Sequence, residues 1–333
     1  MPGVTITYLS GPDIDRLSLS DEEILAAVER GLHAQGMGEA VIEPRVHLVP
    51  GPSNKGHFNV LRGYVAPLQL AGVKIVGDFL DNYKRGLPSE MALINLFDPL
   101  TGAPRAILDA TAITEMRTGA LTALGAKYLA PGKSRILGHV GARGTSYWNV
   151  RLLDRLFDFA EIRVHSRRRE SREAFAEQLE RDLNKKVIVA PDWRSCLQGA
   201  DIMVEASRLD VPAEHFKRDF VKRGSLVVPY GTISALELSL PAVMDKIVVD
   251  DLGQFRAGKF GALRPHIDQG ILNEEDIHAE LAEIVVGRKP GRETDDETIL
   301  FWHRGLSISD IALAAAMLGK AETQKIGQTL VYR

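Results

Sequence analysis

Arg135-Ile-Leu-Gly-His-Val-Gly-Ala-Arg-Gly-Thr-Ser146 is a short apolar run that stops at a glycine-rich turn and leads straight into Tyr147-Trp-Asn-Val-Arg-Leu-Leu-Asp-Arg-Leu-Phe157. Trp148, Leu152, Leu153 and Leu156 recur at helical spacing, so the order is strand, tight turn, helix. That order opens a dinucleotide-binding unit. Glycine lets the backbone approach a pyrophosphate, and the N–H groups and dipole at the helix start receive its charge. Gly141 and Gly144 supply two such positions. Against G-x-G-x-x-G/A the match is partial: with Gly141 as the first glycine, Arg143 stands at the second and Ser146 at the third. Taken alone, the pattern fits an ordinary strand-to-helix turn equally well.

The next strand tips the balance. Glu161-Ile-Arg-Val-His-Ser166 ends in Arg167-Arg168-Arg169, at the place where dinucleotide folds read the adenosine ribose. An acidic residue there accepts from a 2′-hydroxyl, whereas Ser166 and the arginines suit a 2′-phosphate. The expected cofactor is therefore NADP(H), with NAD(H) as the alternative. A solvated basic helix start is the plain alternative for the arginines. The cofactor candidates from this region are Gly141, Arg143, Gly144, Thr145, Ser146, Ser166, Arg167 and Arg168. From Lys133 to about Arg304, strands at 135–140, 161–165, 186–189, 202–205, 225–229 and 246–250 alternate with helical patterns, which implies a doubly wound parallel sheet.

Upstream the pattern differs. Residues 20–35 carry Ile24, Leu25, Val28 and Leu32 on one helical face behind serine caps. Short strands follow at 43–49, 57–61, 73–76, 92–97 and 105–108, the last two flanking the hairpin composition Asp98-Pro-Leu-Thr-Gly102, and together they predict a mostly antiparallel sheet. A helix over 112–129 carries small residues at Gly119, Ala120, Ala123 and Ala126, and Pro131-Gly132 ends it. The last helix, 309–325, is expected to return to the first domain, which otherwise lacks enough helix to cover its sheet. The fold class is α/β: an α+β substrate-binding and dimerisation domain over 1–130 with 306–333, and a Rossmann-type domain over 131–305.

The 333 residues, 45% hydrophobic and 26% charged, describe an ordinary globular chain long enough for two cores. A formal net charge of −3 gives no general attraction to nucleic acid or to an anionic membrane. The single cysteine, Cys196, excludes an intrachain disulfide framework and, with no signal-peptide pattern, makes the cytoplasm the expected compartment.

Ordered short matches over nearly the whole chain then carry a resemblance: Arg45; Gly72-Val-Lys74; Asn82-Tyr-Lys-Arg-Gly-Leu-Pro-Ser89; Asp98-Pro-Leu-Thr-Gly102; Ile113-Thr-Glu-Met-Arg-Thr118; Glu280-Leu-Ala-Glu-Ile-Val-Val-Gly287; Pro290-Gly-Arg292; Thr298-Ile-Leu-Phe301; and Ser309-Asp310. With them the sequence resembles the ornithine cyclodeaminase/mu-crystallin family. The resemblance implies a homodimer formed through the N-terminal domain and nicotinamide chemistry on a small amino or imino acid. It further implies that Arg45, Lys74 and Arg117 hold the substrate carboxylate, and that Ser89, Thr118 and Asp310 lie at the cofactor. The chemistry agrees, since Arg offers a bidentate fork and Lys a point charge to the one constant anionic group of such substrates. Read without the family, Arg45 has an alternative in pairing with Glu43, Lys74 in snorkelling, and Arg117 in a surface position.

Two stretches leave the family pattern. Members that cyclise ornithine carry an aspartate beyond the strand that here runs Gly224-Ser-Leu-Val-Val-Pro-Tyr-Gly-Thr-Ile-Ser-Ala-Leu-Glu-Leu238; this run is two residues shorter, with Thr232-Ile233 where the acid is expected and Glu237 as the nearest carboxylate. Phe301-Trp-His-Arg-Gly305 replaces a common Phe-Lys-Ser-x-Gly and makes His303 a candidate proton shuttle. Tyr230 and His57 are further proton-donor candidates, and His266 reads as a loop residue. With Lys74 and His303 as the catalytic candidates, the expected activity is NAD(P)H-dependent reduction of a 2-imino acid or oxidation of an amino acid. The alternatives are ornithine cyclodeamination and non-catalytic ligand binding of the crystallin kind.

Overall fold

A computed structural model describes residues 3–51, 56–257 and 260–333. It divides into two compact units, residues 1–117 with 306–333 and residues 118–305. The division falls inside the helix Thr111–Leu129, short of Pro131. Small residues explain why the later part of that helix belongs to the second unit. A Cβ on Gly119 would lie 2.5 Å from the Trp148 backbone, a contact only glycine permits.

The first unit is an eight-stranded sheet in the order Gln328–Val331, Thr5–Leu9, Pro104–Asp109, Glu90–Phe97, Leu70–Phe79, Gly56–Val65 and Ala40–Ile42, with Val46–Leu48 also paired to Gly56–Val65. It is antiparallel as expected, except where Thr5–Leu9 runs parallel to Pro104–Asp109. Helix Asp21–Gly36 begins in a capping box, with Ser20 and Glu23 each accepting from the other's backbone, and buries Ile24, Leu25, Val28 and Leu32. Helix Ser307–Gln324 buries Ile308, Ile311, Leu313 and Ala314 in the same unit. Alternation puts every second strand residue on one face. Across paired strands, Leu61, Lys74 and Ile94 are buried in line, while the next row, Val46, Val60, Ile75 and Leu93, lies on the opposite face.

The second unit is a wholly parallel sheet in the order Val187–Val189, Glu161–His165, Ile136–Val140, Ile202–Glu205, Leu226–Pro229, Ile299–Trp302, Lys246–Val249 and Ala279–Glu280. Strand order reverses beside Ile136–Val140, which has the second strand on one side and the fourth on the other. Open α/β sheets bind ligands at such a switch point, outside the carboxyl ends of the strands. Ile299–Trp302 is a strand that the alternation did not announce. All four of its residues are buried, as a central parallel strand requires. No helix among the described residues is long and apolar enough to cross a membrane.

Candidate active site

In the second unit, the turn after Ile136–Val140 has the backbone a close approach demands. Gly141 has φ 124°, and a Cβ there would sit 2.9 Å from the carbonyl of Ala206, just beyond the neighbouring strand. Gly144 has φ 57° and open space where a Cβ would be. Helix Ser146–Phe157 starts behind Thr145, whose side chain makes no capping bond. The Ser146 hydroxyl is turned back onto the Arg143 carbonyl (2.9 Å). The Ser146 N–H donates to the same carbonyl (3.3 Å), which leaves the next N–H groups of the first turn for an incoming anion. At the end of Glu161–His165, the Ser166 hydroxyl donates to the Arg168 carbonyl (3.2 Å), Arg167 pairs with Asp210 (3.0 Å) and is 79% exposed, and Arg168 precedes helix Arg169–Leu183. Arg143 reaches the same place, donating to Ser171 (3.1 Å). The turn and the basic strand end are therefore brought together, and these residues fit a dinucleotide.

Thr118 and His303 are buried nearby in the chain's packing. The Thr122 hydroxyl donates to the Thr118 carbonyl (3.2 Å) and lies 2.9 Å from His303 Nε2. The imidazole of His303 stacks against the rings of Tyr230 and Phe301. Glu237 is committed elsewhere: its carboxylate accepts from the Ser239 hydroxyl and from the Arg218 N–H (3.0 Å), bonds that hold it below the usual carboxylate range. His266 is a correction to the sequence reading. It is buried in helix Arg264–Asp268, with Nε2 3.2 Å from the Glu237 carbonyl.

In the first unit, Lys74, Arg117 and Asp310 meet. Both Lys74 Nζ (2.6 Å) and Arg117 Nε (2.8 Å) donate to Asp310 Oδ1, and all three side chains are at most 6% exposed. Lys74 also donates to the Thr114 hydroxyl (3.1 Å), whose own proton goes to the Ala110 carbonyl (2.7 Å). Burial pushes Lys74 down to about 7, helped by the positive charge of Arg117 and opposed by Asp310; Arg45 acts in the same direction as Arg117. Arg117 Nη1 and Asp310 Oδ2 are buried without a hydrogen-bond partner. Glu43 pairs with Arg62 (3.3 Å). Ser89 is exposed, with its carbonyl accepting from Phe79 (2.8 Å), and His57 lies beside His47 at 5.4 Å between ring centres and opposite Asp78 in register.

Sequence reasoning sent Asp310 to the cofactor and left Thr114 unread. Helical spacing held the missing signal. Thr114 and Arg117 are three residues apart, on one face of their helix, and the Lys74 face of the sheet is set by alternation. Asp310 carried no such signal, because its contacts cross some two hundred residues of chain.

A parallel dinucleotide-type unit and an antiparallel unit with a buried cation cluster define the class, a two-unit α/β protein built like the nicotinamide-dependent enzymes. The chain belongs to the ornithine cyclodeaminase/mu-crystallin family, whose model matches residues 8–325. It is 31% identical to an alanine dehydrogenase of Archaeoglobus fulgidus, over 94% of this chain and 95% of that one. Among solved structures it is similar to the Thermococcus litoralis Delta(1)-pyrroline-2-carboxylate reductase in complex with NADH and L-proline (TM-score 0.90, 29% identity, 97% and 99% of the two chains). It is equally similar to an archaeal alanine dehydrogenase dimer with bound NAD (TM-score 0.90, 29% identity, 99% and 100%).

Proposed function

We propose that this chain is an NADPH-dependent reductase of 2-imino acids, running in reverse as an amino-acid dehydrogenase. The observation that carries the reading is the buried cluster of the first unit. Lys74 and Arg117 share one carboxylate oxygen, and Arg117 Nη1 has no partner. Two cations against one anion leave a charge that a substrate carboxylate would balance, and the open guanidinium N–H matches it geometrically. A buried ion cluster is weak support for stability. Its presence here supports a binding role.

Bound NADPH supplies the hydride. Arg117 and Lys74 hold the substrate carboxylate, with Arg45 adding positive charge, and this fixes the imine carbon in one orientation. Thr114 and Asp310 aim the Lys74 ammonium. A protonated imine needs no further proton when its carbon is reduced, so the site needs no strong general base, and Glu237 is not placed as one. Incubation with NADPH and either Delta(1)-pyrroline-2-carboxylate or pyruvate plus ammonia tests the reading by loss of nicotinamide absorbance. Ammonia released from L-ornithine with no net cofactor change, or cofactor binding with no turnover, rejects it.

The proton on Lys74 gives a second check. Free Lys74 titrates near pH 7, and a bound carboxylate favours its charged form, raising that value. Binding of L-alanine or L-proline is then expected to take up close to one proton near pH 8 and almost none near pH 6, by calorimetry in buffers of different ionisation enthalpy. Equal uptake at both pH values removes Lys74 from the clamp.

NADPH is preferred to NADH in this reading because Ser166, Arg167, Arg168 and Arg143 surround the strand end where a 2′-phosphate would lie. Arg167→Ala with Arg168→Ala should raise the KM for NADPH about tenfold or more, beyond any change for NADH, since only the former loses charge-assisted bonds. Equal changes for the two cofactors refute the preference.

The protein is read as a homodimer through the outer face of the first unit's sheet. Val46, Ile75 and Leu93 lie in register there and are 47%, 41% and 50% exposed, with Leu48 and Met91 in the next row. Exposed contiguous apolar surface of this kind marks an interface. Sedimentation equilibrium reads the mass, and a monomer at micromolar concentration rejects the dimer.

A further inference from the structure

Two departures from the family pattern meet in the second unit. Strands Leu226–Pro229 and Ile299–Trp302 are neighbours, so the residues just beyond their carboxyl ends are adjacent. Tyr230 and His303 stack there at 4.8 Å between ring centres and 25° between planes, and Phe301 stacks on the same imidazole at 5.1 Å. Thr122 spends its hydroxyl proton on the Thr118 carbonyl, so it accepts from His303 Nε2, which fixes the tautomer and the ring. The stack in turn sets the Tyr230 hydroxyl. That hydroxyl accepts from Asn149 Nδ2 and lies 2.5 Å from Thr145 Oγ1. Asn149 Nδ2 also donates to His139 Nε2 (3.3 Å), and His139 Nδ1 lies 3.1 Å from the Gly141 carbonyl. Burial pushes His139 down to about 4, so its ring is neutral, with Nδ1 donating and Nε2 accepting.

The network therefore holds both ends of the 141–145 turn, the Gly141 carbonyl through His139 and the Thr145 hydroxyl through Tyr230. It also accounts for the missing cap. Thr145 stands at the start of helix Ser146–Phe157 in helical conformation, and its hydroxyl faces Tyr230 instead of the first-turn N–H groups. We propose that Tyr230, aimed by the His303 stack, is a positioning residue for the cofactor: its hydroxyl closes the network that fixes the turn and keeps the helix N–H groups open to the pyrophosphate. The shortened loop and the replaced Lys-Ser pair are then one device. The inference rests on the dinucleotide reading above, and it makes His303 a positioning residue, not a proton shuttle.

The test is direct NADPH binding, read from the fluorescence of the bound nucleotide, alongside KM values. Tyr230→Phe removes only the hydroxyl and is expected to raise the NADPH dissociation constant about five- to fifteenfold, with the KM for the imino acid unchanged. Thr145→Val leaves the tyrosine and its stack in place and should give the same loss. The double variant should be no worse than either single one, because both cut the same link. His303→Phe keeps a ring against Tyr230 and should retain more affinity than His303→Ala. Wild-type binding with an unaffected Tyr230→Phe protein overturns this inference alone, as do additive losses in the double variant. A wild-type protein that binds neither NADPH nor NADH overturns the functional reading with it.

Discussion

Arg117→Ala is expected to weaken binding of a 2-imino or 2-amino acid by about 10- to 150-fold, the effect of one charge-assisted contact of about 1.5–3 kcal/mol. Arg117 has its Nε on Asp310 and its Nη1 buried and open, so truncation removes the fork that a substrate carboxylate would meet. The same change has a second signature. Burial is the main cause holding Lys74 down and Arg117 is the charge that adds most to it, so without Arg117 the lysine stays charged to higher pH. Proton uptake on ligand binding near pH 8 should then be smaller than in the wild type. The fold should survive, because Asp310 keeps Lys74 as a partner. A variant that binds L-alanine or L-proline as tightly as the wild type, and takes up the same proton, would remove Arg117 from the site.

Asp310→Ala should have the largest effect on stability. It leaves two buried cations with no counter-charge, and breaking a buried pair from one side costs about 3–5 kcal/mol. The pH dependence has a definite sign. Asp310 favours the charged form of Lys74, so its loss depresses the lysine further below its unfolded value. At pH 8 the lysine can shed its proton and relieve part of the strain, whereas at pH 6 the proton must be forced on. The destabilisation measured by urea unfolding is therefore expected to be larger at pH 6 than at pH 8. A loss of under about 1 kcal/mol at pH 6 would mean that the cluster is not the desolvated arrangement described.

Much of the architecture was legible because it is local. The 141–145 turn was announced by an apolar run, two glycines and a helical stripe, all between Arg135 and Phe157. The helix Asp21–Gly36 was announced by its serine caps and by Ile24, Leu25, Val28 and Leu32. Lys74 was a candidate only through the family resemblance, and its place on a buried row of Leu70–Phe79 comes from the fold. The strand Ile299–Trp302 was missed because a run of four apolar residues carries no period, and its length does not separate strand from buried helix.

What the sequence by itself determined is the local grammar: an antiparallel segment, an alternating parallel segment, a glycine turn ready for phosphate, and basic residues at the next strand end. These follow from spacing and from the conformational habits of single residues, which are encoded within a few positions. Only the tertiary structure decided which distant groups share a charge or a ring face. Asp310 became the partner of Lys74 and Arg117, and Tyr230 the neighbour of His303, because sheet order and helix packing join residues that no periodicity links. A buried charge must find its counter-charge, and a buried hydroxyl its partner, wherever the folded chain supplies one.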